Sequence, residues 1–320
     1  MVPAAYAQPL PIARYRFTCV LDAPLRLPDY AGSMLRGVFG AALRRSSCMT
    51  GLSSCPACPL YRTCPYPALF ETPPRETALR QQFSNVPNPY VIEPPPLGGG
   101  AVGGDVPLVF AMVLVGHETL RQLPLIVHAW QRALRHGLGR IRVTGRLQRV
   151  EWAGDGGQFE SVFETPGSQV AGHAAALHMP PDLRATRLML HIQTPLRLQH
   201  QGRPLGPEQL DLRTLALAAA RRASLVLGLH AGSAPLDNVE ALLAEVQRLG
   251  DDRSALRWHD WTRYSSRQQQ EMTLGGVVGE WVLEGAMTEF ARLLWLCQWL
   301  HLGKNATMGM GGYTLSGASS

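Results

Sequence analysis

The order strand, helix, strand, helix, strand runs twice along this chain, and that repeat limits what it can fold into more than any composition value does. Each time a strongly apolar helix ends at a histidine beside glycine, His136-Gly137 and His301-Leu302-Gly303, before a glycine- and base-rich turn and a further strand. In the first half Ala13–Leu21 alternates strictly. Ala13, Tyr15, Phe17, Cys19 and Leu21 share one face, and Arg14, Arg16, Thr18 and Val20 the other, the pattern of a half-buried strand. Asp29 is placed to cap a helix whose apolar positions Met34, Leu35, Val38, Phe39, Ala42 and Leu43 recur at helical spacing, with Gly32, Gly37 and Gly40 available for close packing. A cysteine- and proline-rich insertion follows. Leu108–Val115 then reads as an apolar strand, Glu118–His136 as a helix kinked or started late by Pro124, and Arg140–Trp152 as a strand. The second half predicts a strand at Arg187–Leu198, helices at Glu208–His230 and Asn238–Leu249, strands at Leu256–Tyr264 and Met272–Leu283, a helix at Ala286–Leu302 and a last strand near Tyr313.

Such a repeat fits an α+β chain of two ferredoxin-like (RRM-like) units in tandem. The expected division is a first unit over residues 1–152 with its cysteine-rich insertion at about 48–105, a linker over 153–185, and a second unit over 186–320 carrying a glycine-rich loop at 303–312. At 320 residues and 46% hydrophobic content, two cores are expected. No run nears the eighteen or so apolar residues of a membrane helix, and no signal-like segment opens the chain, so a cytoplasmic protein with no membrane contact is expected. The net charge of +6 is unevenly spread: residues 1–150 carry sixteen Arg against seven acids, and residues 151–320 are net acidic. From Arg121 to Arg149 there are seven Arg and no acid, a density that suits a surface tracking phosphates.

Three features carry possible chemistry. The loop Gly303-Lys304-Asn305-Ala306-Thr307-Met308-Gly309-Met310-Gly311-Gly312-Tyr313 is dense enough in glycine for its backbone N–H groups to form an anion-binding nest, or to serve as a plain helix-to-strand turn. Its Lys304 is the only lysine in the chain, a compact point charge where every other base is Arg. The set Cys48-x6-Cys55-x2-Cys58-x5-Cys64 suits tetrahedral Zn²⁺ as a structural ion, with an iron–sulfur cluster, a disulfide or no metal as alternatives. Along Arg257–Arg267, Trp258, Trp261 and Tyr264 lie among Arg257, Arg263 and Arg267. That mixture can stack bases and hold phosphates, or can simply be core.

The glycine-rich loop with His301, the stretch Trp261-Thr262-Arg263-Tyr264-Ser265-Ser266-Arg267-Gln268 before Met272-Thr273-Leu274-Gly275-Gly276-Val277-Val278-Gly279, the segment Leu35-Arg36-Gly37-Val38-Phe39-Gly40, and the cysteine cluster ending Cys64-Pro65-Tyr66-Pro67-Ala68-Leu69-Phe70-Glu71 together resemble the CRISPR-associated precursor-crRNA endoribonucleases of the Cas-six type, in the RAMP superfamily. The resemblance spans about Arg36 to Tyr313. It implies tandem ferredoxin-like domains, CRISPR repeat RNA as partner, possible association with other CRISPR effector subunits, and cleavage leaving a 2′,3′-cyclic phosphate and a 5′-hydroxyl. The first helix lacks the histidine that some members use. Metal-free scission needs a base, an acid and a cation, for which His301, His259, Lys304 and Tyr264 are the candidates, with Tyr30 able to orient or donate. The RNA-binding candidates are Gly303, Lys304, Thr307, Gly309, Gly311, Arg263, Arg267, Arg140, Arg142 and Arg146. Two other readings are a non-cleaving crRNA-binding subunit of an effector complex and a zinc-stabilised scaffold without nucleic acid.

Overall fold

The computed structural model describes residues 8–73, 86–154, 157–167, 169–180, 183–233, 238–265 and 270–317, with the side chains at 263–265 and 270–273 outside that description. The first half runs β1 (Ile12–Leu21), β2 (Leu25–Leu27), α1 (Gly32–Ser47), α2 (Pro65–Phe70), β3 (Tyr90–Glu93), β4 (Gly100–Val102), β5 (Leu108–Val115), α3 (His117–Arg121), α4 (Leu123–His136), β6 (Gly145–Ala153) and β7 (Phe159–Glu164). Its main sheet has the order β3-β5-β1-β6-β7, every pair antiparallel. Stripped of β7, that is the ferredoxin-like order. The alternation in β1 does what the sequence implied: Tyr15, Phe17 and Cys19 are fully buried with Leu35, Phe39 and Leu43 of α1 and Trp130 and Leu134 of α4.

The second half repeats the plan with β8 (Ala185–Leu196), the short hairpin β9 (Gln199–His200) and β10 (Arg203–Pro204), α5 (Leu212–His230), α6 (Val239–Val246), β11 (Gly250–Asp252), β12 (Leu256–Ser265), β13 (Gln270–Met287), α7 (Glu289–Leu300) and β14 (Tyr313–Ser316). Here the sheet order is β11-β13-β8-β14, and β12 pairs with β13 as a long hairpin. The core of this half is not closed on itself. Ile12, Val91, Val113 and Val115 from the first sheet belong to the same buried cluster as Leu190, Trp281, Phe290 and Leu300. A third cluster joins Tyr30 to Trp261, Leu274, Met308 and Met310, so the halves are fused at two places. Among the described residues no helix is long and apolar enough to cross a membrane.

Several expectations need correction. The stretch assigned to the insertion contains β3, the second strand of the first ferredoxin-like unit, whose four residues are too few to show a period. The linker stretch contributes β7, paired to β6 from Arg149 to Ala153. The strand expected from Arg140 starts only at Gly145, because Gly137 (φ 93°) and Arg142 (φ 51°) turn the chain and Leu138 bridges back to Val143. The helix expected from Ala286 starts at Glu289, because β13 continues to Met287 opposite Ala185. Asp29 does not cap α1. The N-cap position is Ala31, and the aspartate bonds elsewhere.

Of the glycines in α1, Gly32 and Gly40 are the ones packing demands. A Cβ on Gly32 would lie 1.9 Å from the Met308 carbonyl oxygen, and one on Gly40 2.3 Å from the Phe70 ring, whereas one on Gly37 meets nothing within 4 Å. Gly32→Ala should therefore cost about 1–3 kcal/mol in chemical unfolding, and Gly37→Ala should be neutral or stabilising by up to about 1 kcal/mol. Equal effects at the two positions would show that α1 is not pressed against the glycine-rich loop.

Candidate active site

Two histidines meet carboxylates across the joint between the halves, in opposite surroundings. His301 is the C-cap of α7, held at φ 56° and ψ 155°, and only 4% exposed. Its Nδ1 lies 3.0 Å from the Gly309 carbonyl and its Nε2 3.2 Å from Glu93 Oε1. Glu93, at the end of β3, also accepts from Arg14 Nη2 at 2.9 Å, and the Arg14 guanidinium sits 4.2 Å from the centre of the Trp299 ring. Both imidazole nitrogens are thus turned into the protein. Burial works to push the Glu93 carboxyl up, but the Arg14 charge and the His301 hydrogen bond outweigh it and hold the group below its usual value. His301 is placed to tie the glycine-rich loop to the first half, which corrects its expected placement beside the reacting phosphate.

His259 stands at the opening. It is on β12, on the same face as Trp261, and its Nε2 lies 2.9 Å from Asp29 Oδ2. The carboxylate can only accept, so Nε2–H donates and the neutral ring leaves Nδ1 as the acceptor. Among the described residues nothing bonds that Nδ1, and both side chains are partly exposed. Asp29 is itself oriented, since its Oδ1 accepts from Gly98 N at 3.0 Å. The neighbouring Tyr30 is buried, packs at 4.6 Å against Trp261 and donates to the Met308 carbonyl at 2.6 Å. Burial raises the Tyr30 hydroxyl well above its usual pKa, which keeps it a donor and not a base.

The loop is built for close packing more than for an open nest. Gly309 N donates to Ala306 O, Gly311 N to Pro195 O and Gly312 N to Thr194 Oγ1, so these amides are already used and the expected phosphate contacts at Gly309 and Gly311 do not hold. At Gly311 (φ 71°) a Cβ would fall 1.8 Å from Leu302 O, and at Gly309 (φ 92°) 2.4 Å from Ile92 O. Lys304 is exposed, and Gly303 and Thr307 are half-buried, on the outer side of the loop. Arg140 and Arg142 are exposed on the turn after α4, and Arg146 is exposed on β6. The side chains of Arg263 and Tyr264, and Arg267 altogether, lie outside the described residues. Trp261 is core and Trp258 Nε1 donates to Asp260.

Cys48, Cys55, Cys58 and Cys64 line one small cavity with Arg44, Tyr61 and Tyr66, all four as free thiols. Arg44 Nη2 ties the loop down by donating to Leu52 O and Ser53 O. Gly51 N donates to Cys48 Sγ, which lowers that thiol's pKa, while burial and then Glu71 raise that of Cys55. Four thiols around one cavity suit a soft tetrahedral ion in donor chemistry. Among the described residues, however, no three His, Cys, Asp or Glu side chains are arranged to hold one.

The second half, residues 190–313, matches the family model for the CRISPR-associated endoribonuclease Cas6, and residues 10–175 match a model described as an N-terminal domain, AF_1859_N. The Cas6 model thus covers the second half of the chain. No curated protein matches its sequence. Solved Cas6 structures share its fold end to end. A Cas6 (TTHB231) product complex is 16% identical with a TM-score of 0.55, covering 95% of this chain and 99% of that one. Thermus thermophilus Cas6 (TTHB231) is 17% identical at 0.52, covering 97% and 100%. A partial Cas6-RT-Cas1–Cas2 complex is 14% identical at 0.55, covering 99% of this chain and 47% of that one. At such identities the likeness carries the tandem ferredoxin-like fold, and the roles of residues in this chain rest on its own geometry.

Asp29, Glu93, Arg14 and Thr194 were not legible as site residues. Asp29 carried a helix-cap signature, and Glu93 lies 208 positions from its partner His301. The Glu93 bridge makes a pH test. Its folded pKa is lowered, so its contribution is present above the unfolded value of about 4.3 and is lost as pH falls through the lower folded value. Wild type should exceed Glu93→Gln by about 2 kcal/mol at neutral pH, with the gap closing in acid. A gap constant between pH 7 and pH 3 would show that the ion pairs contribute nothing.

Proposed function

We propose that this chain cuts CRISPR repeat RNA within precursor crRNA by a metal-independent transesterification. The observation that carries the reading is the His259–Asp29 pair, which crosses from one half to the other beside the loop bearing Lys304. His259 Nδ1 takes the proton of a ribose 2′-hydroxyl, the 2′-oxygen attacks the adjacent phosphorus, and the bond from phosphorus to the 5′-oxygen breaks. The departing 5′-oxygen takes up a proton from water. The products are a 2′,3′-cyclic phosphate and a 5′-hydroxyl. Asp29 holds the tautomer and stabilises the imidazolium that forms, and Lys304 supplies a cation for the charge growing on the phosphorane. Arg263 and Tyr264 lie further along β12. The product state captured in one Cas6 structure and the company of Cas1–Cas2 in another support an RNA substrate and association with other CRISPR proteins.

The test is single-turnover cleavage of repeat RNA in EDTA with the product ends identified. His259→Ala should slow cutting about a hundredfold or more with binding retained. Asp29→Asn should lose a smaller factor, and Lys304→Ala should lose both rate and some affinity. Wild-type rates in His259→Ala would move the base elsewhere. Tight binding by wild type without any cutting, with or without divalent ions, would replace this reading with that of a non-cleaving crRNA-binding subunit.

The cysteine set belongs to the same proposal as a structural device. Zn²⁺ held by Cys48, Cys55, Cys58 and Cys64 would fix a segment whose own contacts are few, since Met49 and Leu52 lie exposed there. Elemental analysis should find about one zinc per chain, lost with stability when Cys55 and Cys58 become Ser, while the cleavage products stay the same. A metal-free preparation of full stability overturns it.

A further inference from the structure

The first sheet has one face under α1 and α4. Among the described residues, its other face is covered at the end where Ile12, Val91 and Val113 enter the second half's core and where Arg14 meets Gln298 and Trp299. Further along, Arg146, Arg149, Val109 and Phe159 are exposed, with Thr18 and Glu151 buried beneath them, and what stands there is unusual for a surface. Cross-strand pairing puts Arg16 opposite Glu151, Thr18 opposite Arg149 and Val20 opposite Arg146, so these side chains share the face with Arg14. Phe159 pairs with Ala153 on the neighbouring strand and is 42% exposed.

Arg16 is pinned twice. Its Nε and Nη2 each donate to a Glu151 carboxylate oxygen at 2.8 Å, and its guanidinium carbon lies 3.6 Å from the centre of the Phe159 ring. Two residues along β1, about 7 Å away, Arg14 is held differently, by single bonds from Nη2 to Glu93 and to the Gln298 carbonyl, with Trp299 of the second half against its guanidinium. A guanidinium fixed by a bidentate carboxylate and laid on an aromatic ring is a flat, weakly hydrated cation, its ordering entropy already lost. Its outer side is a stacking surface for a planar base. Phosphates would meet Arg149, at 3.5 Å from Glu151, and Arg146, which has no carboxylate partner among the described residues. Glu164, opposite Arg149, lies at the edge and accepts from Ser161.

We infer that this face binds unpaired RNA by stacking a base on the Arg16–Phe159 platform, separately from the His259 site. The identity of the RNA rests on the proposed function; the stacking does not. Fold-level economy also points this way, since an exposed phenylalanine clamped by a pinned arginine adds little to either core.

The experiment uses the full chain and a labelled eight-nucleotide oligouridine, with repeat RNA in parallel. Phe159→Ala should weaken oligouridine binding about 5- to 150-fold, the range of one lost base stack, while Phe159→Tyr stays near wild type. Arg146→Ala should flatten the salt dependence of oligouridine binding by roughly 0.7 in log–log slope. Photocrosslinks from 4-thiouridine should map to β1 and β7, and Phe159→Ala should cut saturating repeat RNA at the wild-type rate. Oligouridine affinity indifferent to Phe159→Ala, or crosslinks confined to β12 and the glycine-rich loop, overturns the inference even if repeat RNA is cut. A wild type that never cuts but whose oligouridine binding depends on Phe159 keeps the platform and sinks the nuclease.

Discussion

The glycine-rich loop is clamped between the two halves at distances no side chain could share, and the candidate site depends on that contact. Gly309 lies against the Ile92 backbone, Gly311 against Leu302, and Gly32 at the start of α1 against the Met308 carbonyl. Three elements that are remote in sequence thereby meet backbone to backbone. Tyr30 completes the clamp by donating to the same Met308 carbonyl, and Trp261 packs on its ring. Because the clamp fixes α1 relative to β12, it also fixes Asp29 relative to His259. Loop glycines that look like a phosphate cradle spend their freedom on packing, which leaves Lys304 on the outer side as the loop's contribution to charge.

The two histidines show how surroundings and not residue type assign a role. Each has a carboxylate within hydrogen-bond distance of Nε2. His301 also faces a backbone carbonyl with its other nitrogen and is closed off from solvent, so its ring is a rivet between the halves. Among the described residues nothing bonds the second nitrogen of His259, which stands at a partly exposed position with an aspartate that sets its tautomer. A base must reach its substrate before its basicity matters, and only one of the pair can.

Tandem ferredoxin-like units usually invite the picture of two separate cores, yet here the second half borrows Ile12, Val91, Val113 and Val115 from the first sheet. The loan covers one end of that sheet's outer face, Arg14 included, and leaves the other end exposed, where Arg16 lies on the Phe159 ring. One packing choice therefore both fuses the halves and exposes a second polar surface. The cysteine segment stands apart from this, tied through Arg44 to the end of α1.

The sequence alone determined the repeated order of elements, because period-two alternation in β1 and helical spacing in α1 and α4 arise from local geometry that burial only reinforces. It also singled out the loop, Lys304 and His259. It did not reveal β3, hidden in a proline-rich stretch with too few residues to show a period, nor β7, read as connector. It could not tell His301 from His259, since both carry the same local signals of a histidine near aromatic and glycine residues. The partners Glu93 and Asp29 lie 208 and 230 positions away. Such contacts leave no trace in spacing, because a hydrogen bond between remote residues exists only once both backbones have been placed, and tertiary packing alone places them.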